Sequence, residues 1–324
     1  MPHPPPDVID TYPRGGWWRA VSAGMRLGRP KFLLGGFALY GLGALAAHAS
    51  GYGFDLAAYL WGQLAVTFIQ SMTHYSNDYF DFEADAANHH PTRWSGGSRV
   101  LVRGQLPRWV ALMVALLLAM LAAGIIVILA LGLGASVPSI APVILSIMLV
   151  LAWSYSSPPL RLHSRGFGEP TVVIIVPLLT PLSGFLIQAG ELHPLPLLLC
   201  VPLSALLAAM LLTLEFPDAG GDHRVGKRSW VVLIGARRVA HLCGVLTVIG
   251  FAASFASVGL GAPEAVAAGW LALVPLGIFQ LSRLLVAQDW QNPKTFSRLE
   301  FGAVALFFLA VVADLAALWH TLPD

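Results

Sequence analysis

Residues 109–160 read WVALMVALLLAMLAAGIIVILALGLGASVPSIAPVILSIMLVLAWSYSSPPL, a run of 52 residues without a charged side chain. A helix crosses the hydrocarbon core of a bilayer with roughly 20 apolar residues, so this run is too long for one crossing. Gly132, Gly134 and Pro138 interrupt its middle, and glycine and proline are the residues that most often end helices. The run therefore predicts two membrane-spanning helices joined by a short turn.

The rest of the chain has the same character. Of its 324 residues, 56% are hydrophobic and 11% are charged, against roughly a quarter charged in soluble domains. This composition excludes a water-soluble globule and a disordered chain, and the net charge of +2 gives no reason to expect a nucleic-acid partner. We expect an all-α membrane protein in contact with membrane lipid. Its nine spans are predicted at about 32–50, 55–77, 109–131, 137–154, 171–188, 194–215, 239–260, 264–282 and 301–320.

The basic residues predict the orientation of these spans. All 19 Lys and Arg residues lie before the first span or in the loops after spans two, four, six and eight. Cytoplasmic loops are enriched in Lys and Arg, so we expect the N-terminus in the cytoplasm and the C-terminus outside, in the cell (inner) membrane. Residues 1–30 are predicted to form a tail and an interfacial helix with Trp17 and Trp18, and residues 31–324 a single membrane domain.

Two acidic motifs follow spans two and six, NDYFDFEAD (77–85) and EFPDAGGD (215–222). Their acids have the same spacing, which places them on one face of a helix. These acids are Asp78, Asp81 and Asp85 in the first motif and Glu215, Asp218 and Asp222 in the second. The motifs are 137 residues and four spans apart. This predicts two parallel four-helix pseudo-repeats, about 31–154 and 171–282, with the ninth helix, 301–320, added.

Basic residues follow each acidic motif: Arg99 after the first, and Lys227 and Arg228 after the second. Carboxylate oxygens bind hard cations such as Mg²⁺, which often complete their shell with substrate phosphates, and Lys and Arg bind the other phosphate oxygens. The pattern predicts one site, shared by both motifs, for Mg²⁺ and a diphosphate. The alternative for a single motif is solvated charge at a helix end, and the repetition at equal spacing favours the shared site.

The loop after span four, YSSPPLRLHSRGFGEP (155–170), supplies further candidates. Tyr155 lies at the predicted membrane edge. Its ring is suited to stabilising a cation and its hydroxyl to binding a leaving oxygen, while tyrosine is also common at this depth as an interfacial anchor. The loop also carries two basic residues, Arg161 and Arg165.

These segments together resemble the UbiA superfamily of membrane prenyltransferases. The resemblance is carried by NDYFDFEAD, GGSRVLVRG (96–104), the loop after span four and DAGGDHRVGKRSWVVLIG (218–235). It implies a nine-helix bundle that binds two Mg²⁺ ions and a polyprenyl diphosphate. The residues that it implies as ligands are Asn77, Asp81, Asp218 and Asp222, with Asp78, Asp85 and Glu215 in support. Those implied to bind phosphate are Arg99, Arg161, Lys227 and Arg228.

Within this superfamily, the GKRS segment and the loop after span four are most similar to the 1,4-dihydroxy-2-naphthoate polyprenyltransferases of menaquinone synthesis. We therefore expect Mg²⁺-dependent transfer of a prenyl chain from an allylic diphosphate to an aromatic acceptor such as that naphthoate. Tyr155 and Arg161 are the expected catalytic residues. Ser156 is expected to bind substrate, and Arg165 to bind the carboxylate of the acceptor.

Two other functions remain open. One is a UbiA-type prenyltransferase or cyclase for a non-aromatic substrate, such as a carotenoid, a glycerol ether lipid or a terpene. The other is a secondary transporter, which also contains internal repeats and intramembrane acids. Transport sites lie near the midplane of the membrane, whereas both acidic motifs lie at span ends and Asp314 is the acid deep within a span. This favours an enzyme.

Overall fold

The computed structural model of the chain describes residues 16–134 and 140–322. Within these ranges the regular elements are helical, which confirms the predicted all-α class. The helices are α1 (Gly16–Leu27), α2 (Pro30–Ala49), α3 (Leu56–Phe80), α4 (Phe82–Ala87), α5 (Arg108–Ala130), α6 (Ala141–Ser156), α7 (Gly168–Ile174), α8 (Thr180–Ala189), α9 (Pro194–Leu214), α10 (Ala219–Arg224), α11 (Trp230–Ile234), α12 (Ala236–Gly259), α13 (Glu264–Leu281) and α14 (Phe296–Trp319).

Seven helices of the described ranges are long and apolar enough to cross a membrane. They are Pro30–Ala49, Arg108–Ala130, Gly168–Ala189, Pro194–Leu214, Ala236–Gly259, Glu264–Val286 and Phe296–Trp319. The third of these combines α7 and α8, which a π turn joins, and the sixth extends α13 by another π turn. The protein is therefore a multi-pass membrane protein, and the orientation of its termini stays a prediction.

The remaining two predicted spans also contain helices, but nine crossings stay a prediction. α3 has 25 residues and is less apolar than the others, because Gln63, Gln70 and His74 lie within it. α6 has 16 residues, and residue 137, where its span is predicted to begin, lies outside the described residues. Because α6 is short and α3 contains polar residues, length and composition alone do not identify these two helices as membrane spans.

The N-terminal helix α1 is present where an interfacial helix is predicted. Trp17 and Trp18 are 63% and 66% exposed, whereas Leu27 is buried. The hydroxyl of Tyr75 donates a hydrogen bond of 2.9 Å to the carbonyl oxygen of Gly24, so α1 is attached to α3. Its place at the membrane surface and the predicted domain limits stay predictions, and the first fifteen residues of the predicted tail lie outside the described ranges.

The helices α2 and α8 cross at two glycines. A Cβ atom on Gly43 would lie 1.8 Å from the carbonyl oxygen of Pro181, and one on Gly184 would lie 2.2 Å from that of Tyr40. Atoms cannot approach so closely, so this crossing requires glycine. In a bilayer, helices associate through such close packing rather than through the hydrophobic effect. The crossing holds α8, and with it α7, against α2.

Gly43→Ala is expected to destabilise the protein, because the new methyl group must displace the backbone of α8. Overpacking of this kind costs typically about 1–3 kcal/mol. Gly124→Ala is the matched control, since Gly124 is an exposed helical glycine with no atom within 4 Å of an added Cβ, and alanine favours helix. Thermal unfolding in detergent should give a lower Tm for Gly43→Ala only. Equal Tm values for the two variants would contradict the crossing.

Asp314, the acid deep within a predicted span, binds a neighbouring helix. Its Oδ1 accepts a hydrogen bond of 2.8 Å from Nε1 of Trp270, and both residues are buried. A hydrogen-bonded polar pair between helices is a common contact inside membranes. Asp314 therefore joins α14 to α13 and has a structural role.

Candidate active site

The two acidic motifs meet at one polar cavity of about 160 Å³. The first motif occupies the end of α3 and the short helix α4, and the second follows α9 and occupies the short helix α10. The two short helices are in contact, because a Cβ atom on Gly221 would lie 3.1 Å from the backbone of Ala84 and Asn88. Eight of the site residues predicted from the sequence line the cavity: Asn77, Asp81, Asp85, Tyr155, Glu215, Asp218, Asp222 and Lys227.

Lys227 joins the two motifs. Its Nζ lies 2.8 Å from Oδ2 of Asp81 and 3.4 Å from Oδ1 of Asp222. Burial disfavours the ammonium, but the two carboxylates outweigh burial and raise the pKa of Lys227 well above its ordinary value. Burial would also raise the pKa of Asp81, yet Lys227 and then His163 hold it below its usual range. A charged ammonium therefore lies between one acid of each motif.

His163 is a second partner of Asp81, and our reading of the sequence missed it. Nε2 of the buried ring lies 3.0 Å from Oδ1 of Asp81, and Nδ1 lies 2.7 Å from the carbonyl oxygen of Tyr155. These two contacts place the ring between Asp81 and the end of α6, so His163 fixes Asp81 relative to α6. The available signal was the position of His163 in the loop that carries the family resemblance.

Asp218 is buried among hydrogen-bond donors of the first half. Nδ2 of Asn88 donates to its Oδ1 at 2.7 Å, and the backbone N–H of Gly96 donates to its Oδ2 at 3.3 Å. Burial, followed by the neighbouring charge of Asp222, raises the pKa of Asp218 to about 7. This carboxylate would be stabilised in its charged form by a cation bound beside it.

The acids suit Mg²⁺ as a partner of a substrate. Burial and the charges of Asp81 and Asp78 raise the pKa of Asp85 as well, so the cluster favours a cation. Among the described residues, no group of three or more His, Cys, Asp or Glu side chains is arranged to hold a metal ion by itself. Mg²⁺ commonly takes one or two carboxylates and completes its shell with water and substrate phosphates. Asp81, Asp218 and Asp222 fit that use.

Asp78 has different partners from Asp81, although the spacing places the two residues one helical turn apart. The helix α3 ends at Phe80, and a break at Asp81 separates it from α4. Asp78 instead accepts hydrogen bonds from the guanidinium of Arg29 and from the hydroxyl and the backbone N–H of Ser98. Asp78 is not among the residues that line the cavity, so metal binding by Asp78 stays a prediction without support from this geometry.

Glu215, Asn77 and Ser156 hold the walls of the cavity. Oε2 of Glu215 accepts a hydrogen bond of 3.1 Å from the backbone N–H of Val231, which joins the end of α9 to α11. Nδ2 of Asn77 donates to the hydroxyl of Ser156 at 3.1 Å, and Ser156 is fully buried. Ser156 thus positions Asn77, whereas binding of substrate by Ser156 stays a prediction.

The arginines predicted to bind phosphate or the acceptor carboxylate are not among the residues that line the cavity. The exposed ones are Arg161, Arg165 and Arg228. The guanidinium of Arg165 donates to the carbonyl oxygen of Pro159 at 2.9 Å. Arg99 has a positive φ of 63° and its guanidinium donates to the carbonyl oxygen of Asp85, so it braces α4. The structure brings Lys227 to the cavity, and the roles of the four arginines stay predictions.

Arg29 is a basic residue of the cavity that our reading of the sequence missed. Its side chain lines this polar cavity and an apolar one beside it. One guanidinium nitrogen donates to Asp78, and the buried Nε has no hydrogen-bond partner in the described part of the chain. Several basic residues precede the first span, and no local pattern distinguishes Arg29 from them. Only tertiary packing brings Arg29 to the cavity.

The apolar cavity has a volume of about 280 Å³ and adjoins the polar one. Arg29, Asn77, Trp94 and Tyr155 are among the residues that line both. Most of its other walls are aliphatic or aromatic side chains of α2, α3, α6, α9 and α14 and of the π turn after α7. Tyr155 therefore lies at the junction between a charged compartment and an apolar one.

A loop between α4 and α5 borders the polar cavity, and residues distant in sequence hold it. The hydroxyl of Thr92 donates to Oε1 of Glu300 at 3.0 Å, and Nζ of Lys31 lies 4.3 Å from the ring centroid of Trp94. The loop is thus anchored to α14 and to the start of α2. No motif pointed to Glu300 or Lys31, since both contacts depend on how the helices pack.

A family model described as the UbiA prenyltransferase family matches residues 36–319 of this chain. The chain belongs to the UbiA prenyltransferase family. This confirms the resemblance at the level of the superfamily and identifies the protein as an enzyme, a prenyltransferase. The similarity to the naphthoate branch is not supported, because the relatives below have other names.

Two relatives of this UbiA enzyme are digeranylgeranylglyceryl phosphate synthases of archaea. The protein of Thermococcus kodakarensis is 28% identical over 242 residues, which cover 74% of this chain and 78% of the relative. The protein of Thermococcus gammatolerans is 30% identical over 244 residues, which cover 74% of this chain and 79% of the relative.

Solved structures show that this chain has the UbiA fold. A digeranylgeranylglyceryl phosphate synthase superposes with a TM-score of 0.66 at 17% identity, covering 92% of this chain and 98% of that one. A UbiA homolog from Archaeoglobus fulgidus, bound to GPP and Mg²⁺, gives a TM-score of 0.63 at 14% identity, with coverage of 92% and 99%. The same homolog has been solved with Cd²⁺, with a TM-score of 0.57, 14% identity and coverage of 90% and 99%.

Proposed function

We propose that this UbiA enzyme transfers a prenyl chain from an allylic prenyl diphosphate to a hydroxyl group of a glycerol ether lipid, with Mg²⁺ as cofactor. The observation that carries the proposal is the junction of two cavities, a charged one lined by Lys227 and both acidic motifs and an apolar one of about 280 Å³. A prenyl diphosphate has the same two parts, a charged head and an apolar tail. The names of both relatives support the choice of acceptor.

The charged cavity serves the departure of diphosphate. Lys227, held between Asp81 and Asp222, donates hydrogen bonds to the head, and its charge stabilises the negative charge that grows there as the C1–O bond breaks. The unpartnered Nε of Arg29 faces this compartment as a further donor. Mg²⁺, held by Asp81, Asp218 and Asp222, would neutralise the diphosphate as a Lewis acid.

The junction serves the allylic cation that remains on C1. Tyr155 lines both cavities, and the face of an aromatic ring attracts a cation. The aliphatic walls of the second cavity keep water from the cation, so that it survives until the acceptor captures it. The prenyl chain stays in the apolar cavity during these steps.

Tyr155→Ala is expected to lower kcat by about 30-fold and to change the KM of the prenyl diphosphate by less than about threefold. The reason is that the ring acts on charge that exists only in the transition state, and a desolvated cation–π contact is worth about 2 kcal/mol. Tyr155→Phe keeps the ring and should stay within about threefold of wild type. Tyr59→Ala is the control, because Tyr59 lines neither cavity.

Two outcomes would contradict this role of the ring. A loss of kcat in Tyr155→Phe as large as in Tyr155→Ala would assign the effect to the hydroxyl. Equal effects on KM and kcat would indicate that Tyr155 is only an interfacial anchor.

The aromatic acceptor that the sequence led us to expect has no support. Both relatives are named for a product built on glyceryl phosphate. Arg165, expected to bind the carboxylate of a naphthoate, is exposed and bonded to the carbonyl oxygen of Pro159. We therefore replace the menaquinone assignment with transfer to a lipid hydroxyl.

The test uses purified protein in lipid nanodiscs with Mg²⁺ and geranylgeranyl diphosphate. Separate reactions receive a glyceryl phosphate with one geranylgeranyl ether or 1,4-dihydroxy-2-naphthoate, and mass spectrometry detects the products. We expect a doubly prenylated glyceryl phosphate, and no product in the presence of EDTA. Product from the naphthoate alone would contradict the acceptor and keep the prenyltransferase, whereas absence of product with both would contradict the proposed donor chemistry.

A further inference from the structure

Besides Arg29, two polar side chains of the charged cavity have an atom without a hydrogen-bond partner. Oε2 of Glu169 and Oγ of Ser229 are both buried and unpartnered in the described part of the chain, and both residues line the cavity. One is a carboxylate oxygen, which accepts, and the other a hydroxyl, which donates and accepts. Buried polar atoms are nearly always paired, so an unpaired couple of this kind indicates a ligand.

The two side chains lie beside each other. The carboxylate of Glu169 interacts with the backbone N–H of Trp230, the residue that follows Ser229 in the chain. Glu169 lies in the first turn of α7, and Ser229 immediately precedes α11. The contact between these two helix starts therefore places the carboxylate and the serine hydroxyl on the same part of the cavity wall.

This part of the wall differs from the diphosphate side. Asp81, Asp218 and Asp222 are each engaged by Lys227 or by donors of the other half, and they belong to the two acidic motifs. Glu169 belongs to neither motif. The charges of Lys227 and Asp222 act on its carboxylate, and its Oε2 has no partner in the described part of the chain.

We infer that Glu169 and Ser229 bind the attacking hydroxyl group of the acceptor, and that Glu169 removes its proton. This inference rests on the proposed function. The serine hydroxyl donates a hydrogen bond to the acceptor oxygen, and the acceptor O–H donates to Oε2 of Glu169. A lipid hydroxyl that bonds to the cation must lose its proton to give the neutral ether, which is the reason that a base is required at this place.

The C1–O bond of the donor breaks, and its electron pair leaves with diphosphate. A lone pair of the acceptor oxygen forms the new C1–O bond, and the proton of that oxygen passes to Oε2 of Glu169. After the ether product leaves, Glu169 returns the proton to water. No oxidant, reductant or further reactant takes part.

The experiment separates capture of the cation from its formation. Wild type, Glu169→Gln, Glu169→Asp and Ser229→Ala are incubated with geranylgeranyl diphosphate, Mg²⁺ and the singly prenylated glyceryl phosphate. Ether product, geranylgeraniol and released diphosphate are quantified. We expect Glu169→Gln to lose about 10²-fold in ether formation and to keep the donor KM within about twofold, with product shifted towards geranylgeraniol.

The other two variants make the expectation specific. Glu169→Asp keeps a carboxylate and should regain about tenfold of the loss. Ser229→Ala should raise the acceptor KM several-fold at unchanged donor KM. Ether formation by Glu169→Gln at the wild-type rate would overturn the inference. So would a raised donor KM together with equal losses of ether and geranylgeraniol. Either result would leave the proposed function in place. Absence of ether product in wild type would overturn the proposed function and this inference with it.

Discussion

Lys227→Met is expected to lower kcat/KM for the prenyl diphosphate by about 10³-fold. The loss has two sources. The variant removes a donor to the leaving group, and one such donor is worth about 10²–10³-fold in related charge-stabilising sites. It also leaves Asp81 and Asp222 facing each other without the ammonium that now lies 2.8 and 3.4 Å from them. Breaking a buried pair by removing one partner costs about 3–5 kcal/mol of stability.

The two sources can be distinguished with Mg²⁺. Without the metal, Lys227→Met should unfold at a lower temperature than wild type, and added Mg²⁺ should recover part of the Tm because it neutralises the same carboxylates. Turnover should not recover, because the donor to the leaving group is still missing. Lys294→Met, at an exposed lysine, is the control and should match wild type in both measurements. A loss of less than tenfold in kcat/KM would contradict the place of Lys227 at the centre of the site.

The helices were predictable because charge is excluded from the hydrocarbon core. The 52-residue uncharged run separates into α5, which ends at Ala130, and α6, which is described from Ala141, close to the predicted break. The C-terminal helix α14 begins at Phe296, five residues before the predicted span. The prediction began after the charged Glu300, but Glu300 is buried inside the helix and accepts a hydrogen bond from Thr92. A charged side chain with a tertiary partner therefore hid the true start of this helix.

The acidic motifs were recognisable, but the direction of each side chain was not. Spacing places Asp78 and Asp81 one helical turn apart, but it does not say which groups they bind. Asp78 pairs with Arg29, a residue 49 positions earlier, whereas Asp81 pairs with Lys227 and His163. Proximity in sequence misled in the same way at Arg99, whose positive φ directs the chain so that its guanidinium binds the backbone of α4.

The residues that were missed share a physical reason. Arg29, His163 and Glu169 line the cavity, and Asn88 bonds to Asp218, because an element distant in sequence packs beside each of them. Glu169 stands in the GFGEP segment and His163 four residues after Pro159, where one sequence gives no sign of burial or of a partner. Periodicity and charge thus identify the two acidic motifs, whereas these other residues of the site depend on tertiary contacts.

Asp81→Asn and Asp222→Asn are each expected to lower kcat/KM by at least about 10³-fold, and the double variant is expected to be little worse than either single one. The reason is that both carboxylates contact the same ammonium and face the same cation and diphosphate, so either loss disables the shared site. Residues that act as a unit give strongly non-additive losses. Two independent sites would instead give losses that multiply to about 10⁶-fold.

The measurement is a double-mutant cycle on turnover, with a Mg²⁺ titration of each variant. Both single variants should need at least about tenfold more Mg²⁺ for half-maximal diphosphate binding, because each removes one of the few carboxylates that the cation can use. Glu83→Gln is the matched control, since Glu83 stands on the same short helix as Asp85 but is exposed and paired with Arg108 at 2.9 Å. Its turnover and Mg²⁺ requirement should equal those of wild type. Multiplicative losses in the double variant, or an unchanged Mg²⁺ requirement in either single variant, would show that the two motifs do not share one cation and one diphosphate.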